Sequence, residues 1–165
     1  RFWMHARHLT IGKKKMSKST GNVIFVKDLL KIGVHPQCLR FYLISENYRN
    51  PLDFTYERFE GNVCACEGVS RIIGRLKRIK KNGIGHDGKK RAGSMTNGEA
   101  ISAKMLSGFE RAMDDDLDTK KAFERIFRSF GDIRESLEHG EISGNDAQAI
   151  LRTIEKIDAV LCVFL

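Results

Sequence analysis

Apolar residues recur at every third or fourth position through most of the chain after Thr55, which is the period of a helix with one buried face. Phe59, Val63, Cys66, Val69, Ile73, Leu76 and Ile79 predict one long helix. Met105, Leu106, Phe109 and Met113 mark a second. Phe123, Ile126, Phe127, Phe130, Ile133 and Leu137 mark a third, started by a cap at Asp118 or Thr119 and stopped near Gly140. Ala147, Ile150, Leu151, Ile154, Ile157, Leu161 and Phe164 mark a fourth, with Ser143 as its cap. Three or four amphipathic helices joined by loops imply an antiparallel bundle. The phenylalanines at helical spacing read as core rather than as base-stacking platforms.

The first 54 residues follow a different pattern. Phe2, Met4, Leu9 and Ile11 suggest two short strands within residues 1–16, turning at Gly12 and Lys13. Ser17 to Asn22 is a polar loop, and Val26 to Ile32 fits a short helix ending at Gly33. Pro36 suits the first turn of another helix, with Leu39, Phe41, Tyr42, Leu43 and Ile44 as its apolar face. Asn50-Pro51 breaks the helical pattern, so residues 47–54 read as a turn or extended connector. The expected fold is therefore mainly α. Residues 1–54 form one unit with a short β-hairpin, and residues 55–165 form a helical bundle. Glycines at 83, 85, 88, 93 and 98, with almost nothing apolar between them, predict a flexible loop over 82–98.

Length and charge narrow the function classes. The 165 residues can bury a real core. No run of about eighteen or more apolar residues is present, which excludes a membrane-spanning helix. Arg1 is not an initiating Met and no apolar leader follows it, so the chain reads as a piece of something longer. Cys38, Cys64, Cys66 and Cys162 form no CxxC pair, and Cys64 and Cys66 fall on roughly opposite faces of a helix. Reduced thiols packed as small hydrophobes in the cytoplasm are expected, with no metal site in this chain. The net charge is +8, but the surplus is uneven. Residues 1–92 carry 20 basic and 7 acidic groups, whereas residues 93–165 carry 9 and 14. A polyanion could meet the first part, and phosphate contacts would make that binding salt-dependent.

The chemistry concentrates in Lys15-Met16-Ser17-Lys18-Ser19-Thr20-Gly21-Asn22. Small residues let a backbone approach a ligand closely, hydroxyls and N–H groups donate to phosphate oxygens, and ammonium groups meet developing negative charge. A helix beginning near Val26 favours an anion nearby. From residue types alone, this is either a phosphate loop or a basic surface turn.

The order KMSKS followed by x-G-N resembles the signature loop of class I aminoacyl-tRNA synthetases. The flanks are similar to the cysteinyl-tRNA synthetase family: Phe2-Trp3-Met4-His5, the stretch Leu39 to Ser45, Tyr48-Arg49-Asn50-Pro51-Leu52-Asp53-Phe54, and Met113 to Thr119. The resemblance covers most of the chain and is weakest over 82–98. It implies the end of a Rossmann-like catalytic domain, a helical stem-contact region and an anticodon-side helical bundle. It also implies a loop that closes over ATP and stabilises the transition state as cysteine attacks the α-phosphate, before transfer to tRNA(Cys). By match, Lys18 contacts the phosphates and Lys15 assists. Met16, Ser17 and Ser19 complete the ATP-binding set. Magnesium accompanies ATP. The family's zinc, which reads the thiol, is held by residues upstream of any matched here.

The departures are as informative. No HIGH motif is present, and His5-Ala6-Arg7-His8 is no substitute. Three lysines, Lys13 to Lys15, stand where an acidic neighbour is more usual. The isolated chain is therefore expected to form no adenylate. Arg40 and Arg49 could touch the tRNA backbone or anchor a carboxylate such as Asp53. Arg71, Arg75 and Arg78 form a basic helix face that tRNA could meet. Asp114 to Asp116 reads as a loop-and-cap segment rather than a magnesium site. Two other functions fit the same residues: a related enzyme joining cysteine to an amino sugar, as in mycothiol synthesis, and a non-catalytic RNA-binding module.

Overall fold

The computed structural model describes residues 3–82 and 95–165. Three strands, β1 (Leu9–Ile11), β2 (Lys14–Lys15) and β3 (Leu52–Phe54), form a small sheet in the order β2-β1-β3. Six helices accompany it: α1 (Val26–Lys31), α2 (Pro36–Ile44), α3 (Tyr56–Asn82), α4 (Asn97–Asp114), α5 (Thr119–Glu138) and α6 (Gly144–Leu161). The expected mainly helical chain with a short hairpin is what forms.

The starts of α2, α4, α5 and α6 each have a chemical cause. Thr96 and Glu99 make a capping box at α4, and Ser143 and Asp146 make another at α6. At α5 the cap is Asp118, whose Oδ1 accepts from the Lys121 N–H at 3.0 Å. Thr119 instead donates its hydroxyl to the Glu46 carbonyl at 3.2 Å. Pro36 opens α2 behind His35. At the other end of the chain, Cys162 adopts φ 54° and ends α6. The Asp158 carboxylate then collects the N–H groups of Val163, Phe164 and Leu165 at 2.6, 2.8 and 3.0 Å. That turn folds Phe164 back against Phe123 and Phe130, so it belongs to the core although it lies beyond the helix.

Two apolar clusters share α2 as a wall. Cys38 and Phe41 join the bundle core with Cys66, Val69, Ile73 and Leu76 of α3 and the inner faces of α4, α5 and α6. Leu39 and Tyr42, one position further on in each case, face the second cluster with Leu29, Leu52, Phe54 and Phe59. An i, i+3 pair on each side of one helix thus serves two cores. The sequence-predicted core phenylalanines are placed accordingly: Phe109, Phe123 and Phe130 are buried, and Phe127 packs against the same cluster.

Two expectations need correction and one, the turn or extended connector, is made more specific. Residues 3–8 form no strand, and Met4 is exposed, because the alternation there runs over too few residues to define a buried face. The connector 47–54 ends in β3, which pairs in parallel with β1 in the register Leu9↔Leu52, Thr10↔Asp53 and Ile11↔Phe54. Of the glycine-rich stretch, Thr96 to Gly98 belong to the start of α4, and residues 83–94 lie outside the described residues. Gly98 is fixed by close approach: a Cβ there would lie 2.4 Å from Asp146 Cβ and 2.7 Å from its Cα.

Candidate functional site

The Lys15–Asn22 loop is built onto the end of β2. β1 and β2 pair antiparallel with Ile11 opposite Lys14 and Thr10 opposite Lys15. Gly12 and Lys13 between them have φ of 55° and 62°, the two left-handed positions of a type I′ hairpin turn. Lys15 leaves the sheet exposed. Ser17 and Asn22 form a β-bridge, with the Ser17 N–H donating to the Asn22 carbonyl at 3.3 Å. Between them Lys18–Thr20 make one turn of 3-10 helix. Gly21 closes it at φ 64°, its N–H donating to the Lys18 carbonyl at 3.2 Å, a conformation that favours glycine.

This closure decides which groups face outward. The Ser17 and Ser19 hydroxyls are hydrogen-bonded to one another at 2.7 Å, which ties the two sides of the short turn. Met16 is half-buried and its N–H reaches the Leu9 carbonyl at 3.5 Å. Lys15, Lys18 and Ser19 are exposed. The loop therefore presents two ammonium groups and a hydroxyl on a backbone clamped at both ends, an arrangement suited to a phosphate-bearing ligand. Among the described residues no group of three or more His, Cys, Asp or Glu side chains could hold a metal ion.

The basic residues read from the sequence go to different places. Arg40 does not reach Asp53; its Nε donates to the Leu161 carbonyl at 2.6 Å and caps the end of α6. Arg49 does anchor a carboxylate, but it is Asp116. Nη2 donates to Oδ1 at 2.9 Å, Nε pairs with Oδ2, and Tyr48 Oη donates to Oδ1 at 2.8 Å. The Arg49 and Tyr48 bonds hold the Asp116 carboxyl down at about 2. Asp116 and Leu117 have φ of 57° and 54°, so the aspartate triplet is a tight turn and cap, as its sequence implied. Arg75 donates to the Leu137 carbonyl at 3.3 Å. Arg71, Arg75 and Arg78 are all exposed on α3.

A second basic feature has no counterpart in the sequence reading. Lys104, Arg111, Lys121, Arg125 and Arg128, with Glu124 the one acid among the lining residues, border a groove of about 460 Å³ between α4 and α5. Asp132 pairs with Lys104 at 2.7 Å, and Asp115 and Asp118 pair with Lys121 at 3.0 and 3.1 Å. A Cβ at Gly108 would meet Arg125 Cδ at 3.3 Å, which places the Arg125 stem across α4. The signal lay in the i, i+3 spacing of Arg125 and Arg128, hidden by the acidic balance of the segment as a whole.

Residues 1–63 match the family model described as tRNA synthetases class I (C) catalytic domain, and residues 108–165 match the DALR domain. A cysteine–tRNA ligase of Prochlorococcus marinus is 38% identical over 139 residues, which is 81% of this chain and 28% of the relative. Those of Koribacter versatilis and Chlamydia pneumoniae are 32% and 31% identical over 98% and 99% of this chain, and 31% and 33% of their own lengths. The chain thus spans about a third of the length of the curated relatives it matches.

Proposed function

The chain belongs to the cysteine–tRNA ligase family of class I tRNA synthetases, and from that premise we propose that it supplies the phosphate-binding loop and part of the tRNA-binding side of a cysteine–tRNA ligase acting in the cytoplasm. Residues 1–54 are the end of the catalytic unit and residues 55–165 the helical unit that meets tRNA(Cys). The reaction is ATP-dependent activation of cysteine followed by transfer to tRNA(Cys).

The observation that carries this reading is the clamped loop with Lys15 and Lys18 outward. An ammonium fixed near the triphosphate offsets the negative charge that grows on the α-phosphate and on departing pyrophosphate. Lys18 takes that role on the turn of 3-10 helix, and Lys15 supports it from the sheet edge. Ser17 and Ser19 hold the turn by their mutual hydrogen bond, and with Ser17 as its donor the exposed Ser19 O–H remains to donate to a phosphate oxygen. Met16 is half-buried between β2 and the turn. Magnesium enters with ATP as part of the substrate. Among the described residues no group of three or more His, Cys, Asp or Glu side chains fits a zinc ion. No HIGH motif stands in these 165 residues, so adenylate formation is expected only when they are joined to a catalytic half that carries it.

Transfer to tRNA rather than to an amino sugar is favoured by the extent of the basic surface. The exposed arginines of α3 and the α4–α5 groove are far more than a sugar acceptor requires. They equally argue against a bare RNA-binding module only when taken with the loop, so the loop is where the test belongs. Joined to a catalytic half that carries HIGH and the zinc ligands, Lys18→Ala should lower cysteine-dependent ATP–pyrophosphate exchange by roughly 10²–10³-fold, the scale of losing one transition-state donor. Exchange at an undiminished rate would leave the helical module as an RNA-binding element and remove the catalytic reading.

A further inference from the structure

The connector strand β3 has no part in the function derived so far, yet its middle residue touches the hairpin that carries the loop. Leu52 and Phe54 point into the second cluster, and Asp53 therefore points to the opposite face. The parallel register puts Thr10 beside Asp53, and the antiparallel register puts Lys15 opposite Thr10. Asp53, Thr10 and Lys15 thus form one row across the three strands on the same face. Asp53 Oδ1 accepts from Thr10 Oγ1 at 2.6 Å and from the Lys13 N–H at 2.9 Å. Lys13 is the second left-handed residue of the hairpin turn, a strained position for a lysine. Its N–H reaches a carboxylate 40 residues away in sequence. β2 itself is only two residues long and fully exposed, so it has little else to fix its pairing.

We propose that Asp53 is a positioning residue for the Lys15–Asn22 loop. By binding the Thr10 hydroxyl and the turn N–H together, its carboxylate sets the hairpin register that brings Lys15 out on this face and starts the 3-10 turn bearing Lys18. A slip of one residue would send Lys15 to the other face. The residue touches no reacting atom; it acts through Thr10 and Lys13. The loop's role toward nucleotide is taken from the proposed function, but the register claim is tested without it. The Asp53 carboxyl is held below the usual carboxylate range by the Thr10 hydroxyl first and then by the Lys13 N–H, in agreement with that geometry.

Amide hydrogen exchange on this chain reads the claim directly. Asp53→Ala should raise exchange of the amides over 13–22 by about tenfold or more, the effect of losing bonds to a charged acceptor. Amides of α5 and α6 should keep their rates. Asp53→Asn retains an acceptor oxygen and should restore most of the protection, and Thr10→Val should give a partial loss even if the alanine variant folds poorly. In the unaltered chain, acidification below the ordinary carboxylate range should shift the Lys13 and Lys15 amides, and Asp53→Asn should abolish that titration. Wild-type protection of the hairpin in both Asp53→Ala and Thr10→Val would overturn the proposal, as would an equal rise in α5 and α6. ATP-induced shifts at Lys15 and Lys18, read with the chain joined to a catalytic half that carries HIGH, form a separate arm. Their absence in the unaltered chain would count against the nucleotide reading alone, because the exchange result stands apart from it. Unchanged ATP affinity in Asp53→Ala would count against the positioning role.

Discussion

At the scale of single residues, the tightest constraints sit where backbones meet. Gly98 lies against Asp146, and its N–H donates to Asp146 Oδ1 at 3.2 Å, so α4 and α6 cross at a point with no room for a methyl group. Gly98→Ala should destabilise the bundle by about 1–3 kcal/mol, the cost of overpacking, read as a lower midpoint in urea unfolding. Asp158 is a different case. Its buried carboxylate satisfies three N–H groups, and Asp158→Ala leaves them without an acceptor. A loss of about 2–4 kcal/mol is expected from several unmade bonds to a charged group, with Phe164 released from the core. A variant as stable as the parent would show that water replaces the carboxylate. Neither residue stood out in the sequence. A lone glycine after a glycine-rich stretch reads as loop, and an aspartate near a helix end reads as surface. Lys18 and its neighbours were legible, by contrast, because their order along the chain is itself the signal and needs no partner from afar.

At the scale of elements, the helices and the β1–β2 hairpin were legible and the third strand was not. A long apolar stripe identifies α3, α5 and α6 from local spacing alone, and the caps at Ser143 and Asp118 are readable as residue types. β3 is three residues long and finds its partner some 43 residues upstream, so neither its length nor its neighbours announce it. The double-sided role of α2 is likewise hidden, since a thick apolar face looks the same whether it serves one core or two. That role has a measurable consequence. Phe41 lies edge-on to Phe123 with ring centroids 4.7 Å apart, so Phe41→Ala should cost about 3–5 kcal/mol and loosen the sheet against the bundle as well. The Tyr48–Arg49–Asp116 contact ties the same two regions on the surface. The Asp116 carboxyl is lowered from 3.8 to about 2, so the contact is intact above pH 4 and is lost as pH falls through about 2. A carbon-detected titration of Asp116 should give that midpoint, moving up toward the ordinary aspartate range in Arg49→Gln. A midpoint already ordinary in the unaltered chain would mean that the pair does not persist in solution.

At the scale of the whole molecule, charge is distributed by structure in a way that the totals conceal. Residues 93–165 are acidic in sum, yet α4 and α5 place five cations around one groove while several carboxylates turn to caps and buried turns. Asp146 shows how far this goes. Burial opposes its ionisation, but the bonds from Ser143, Thr96 and Gly98 together outweigh burial and lower its pKa, so it stays a charged structural group near neutral pH. Acids used internally in this way do little to repel a polyanion at the surface, while Arg125 and Arg128 stay exposed. If tRNA backbone lies in the groove, each arginine that meets a phosphate releases a condensed cation, and affinity falls with salt in proportion to the number of contacts. The double variant Arg125→Gln, Arg128→Gln should therefore weaken tRNA binding and reduce the slope of log affinity against log salt by about 2. Fluorescence anisotropy with labelled tRNA(Cys) between roughly 50 and 200 mM salt measures both. The same substitutions should leave the loop untouched, so ATP-induced shifts at Lys18 should persist. A salt slope equal to that of the unaltered chain would take the groove out of the proposed tRNA path and leave the exposed arginines of α3 as the remaining candidate surface.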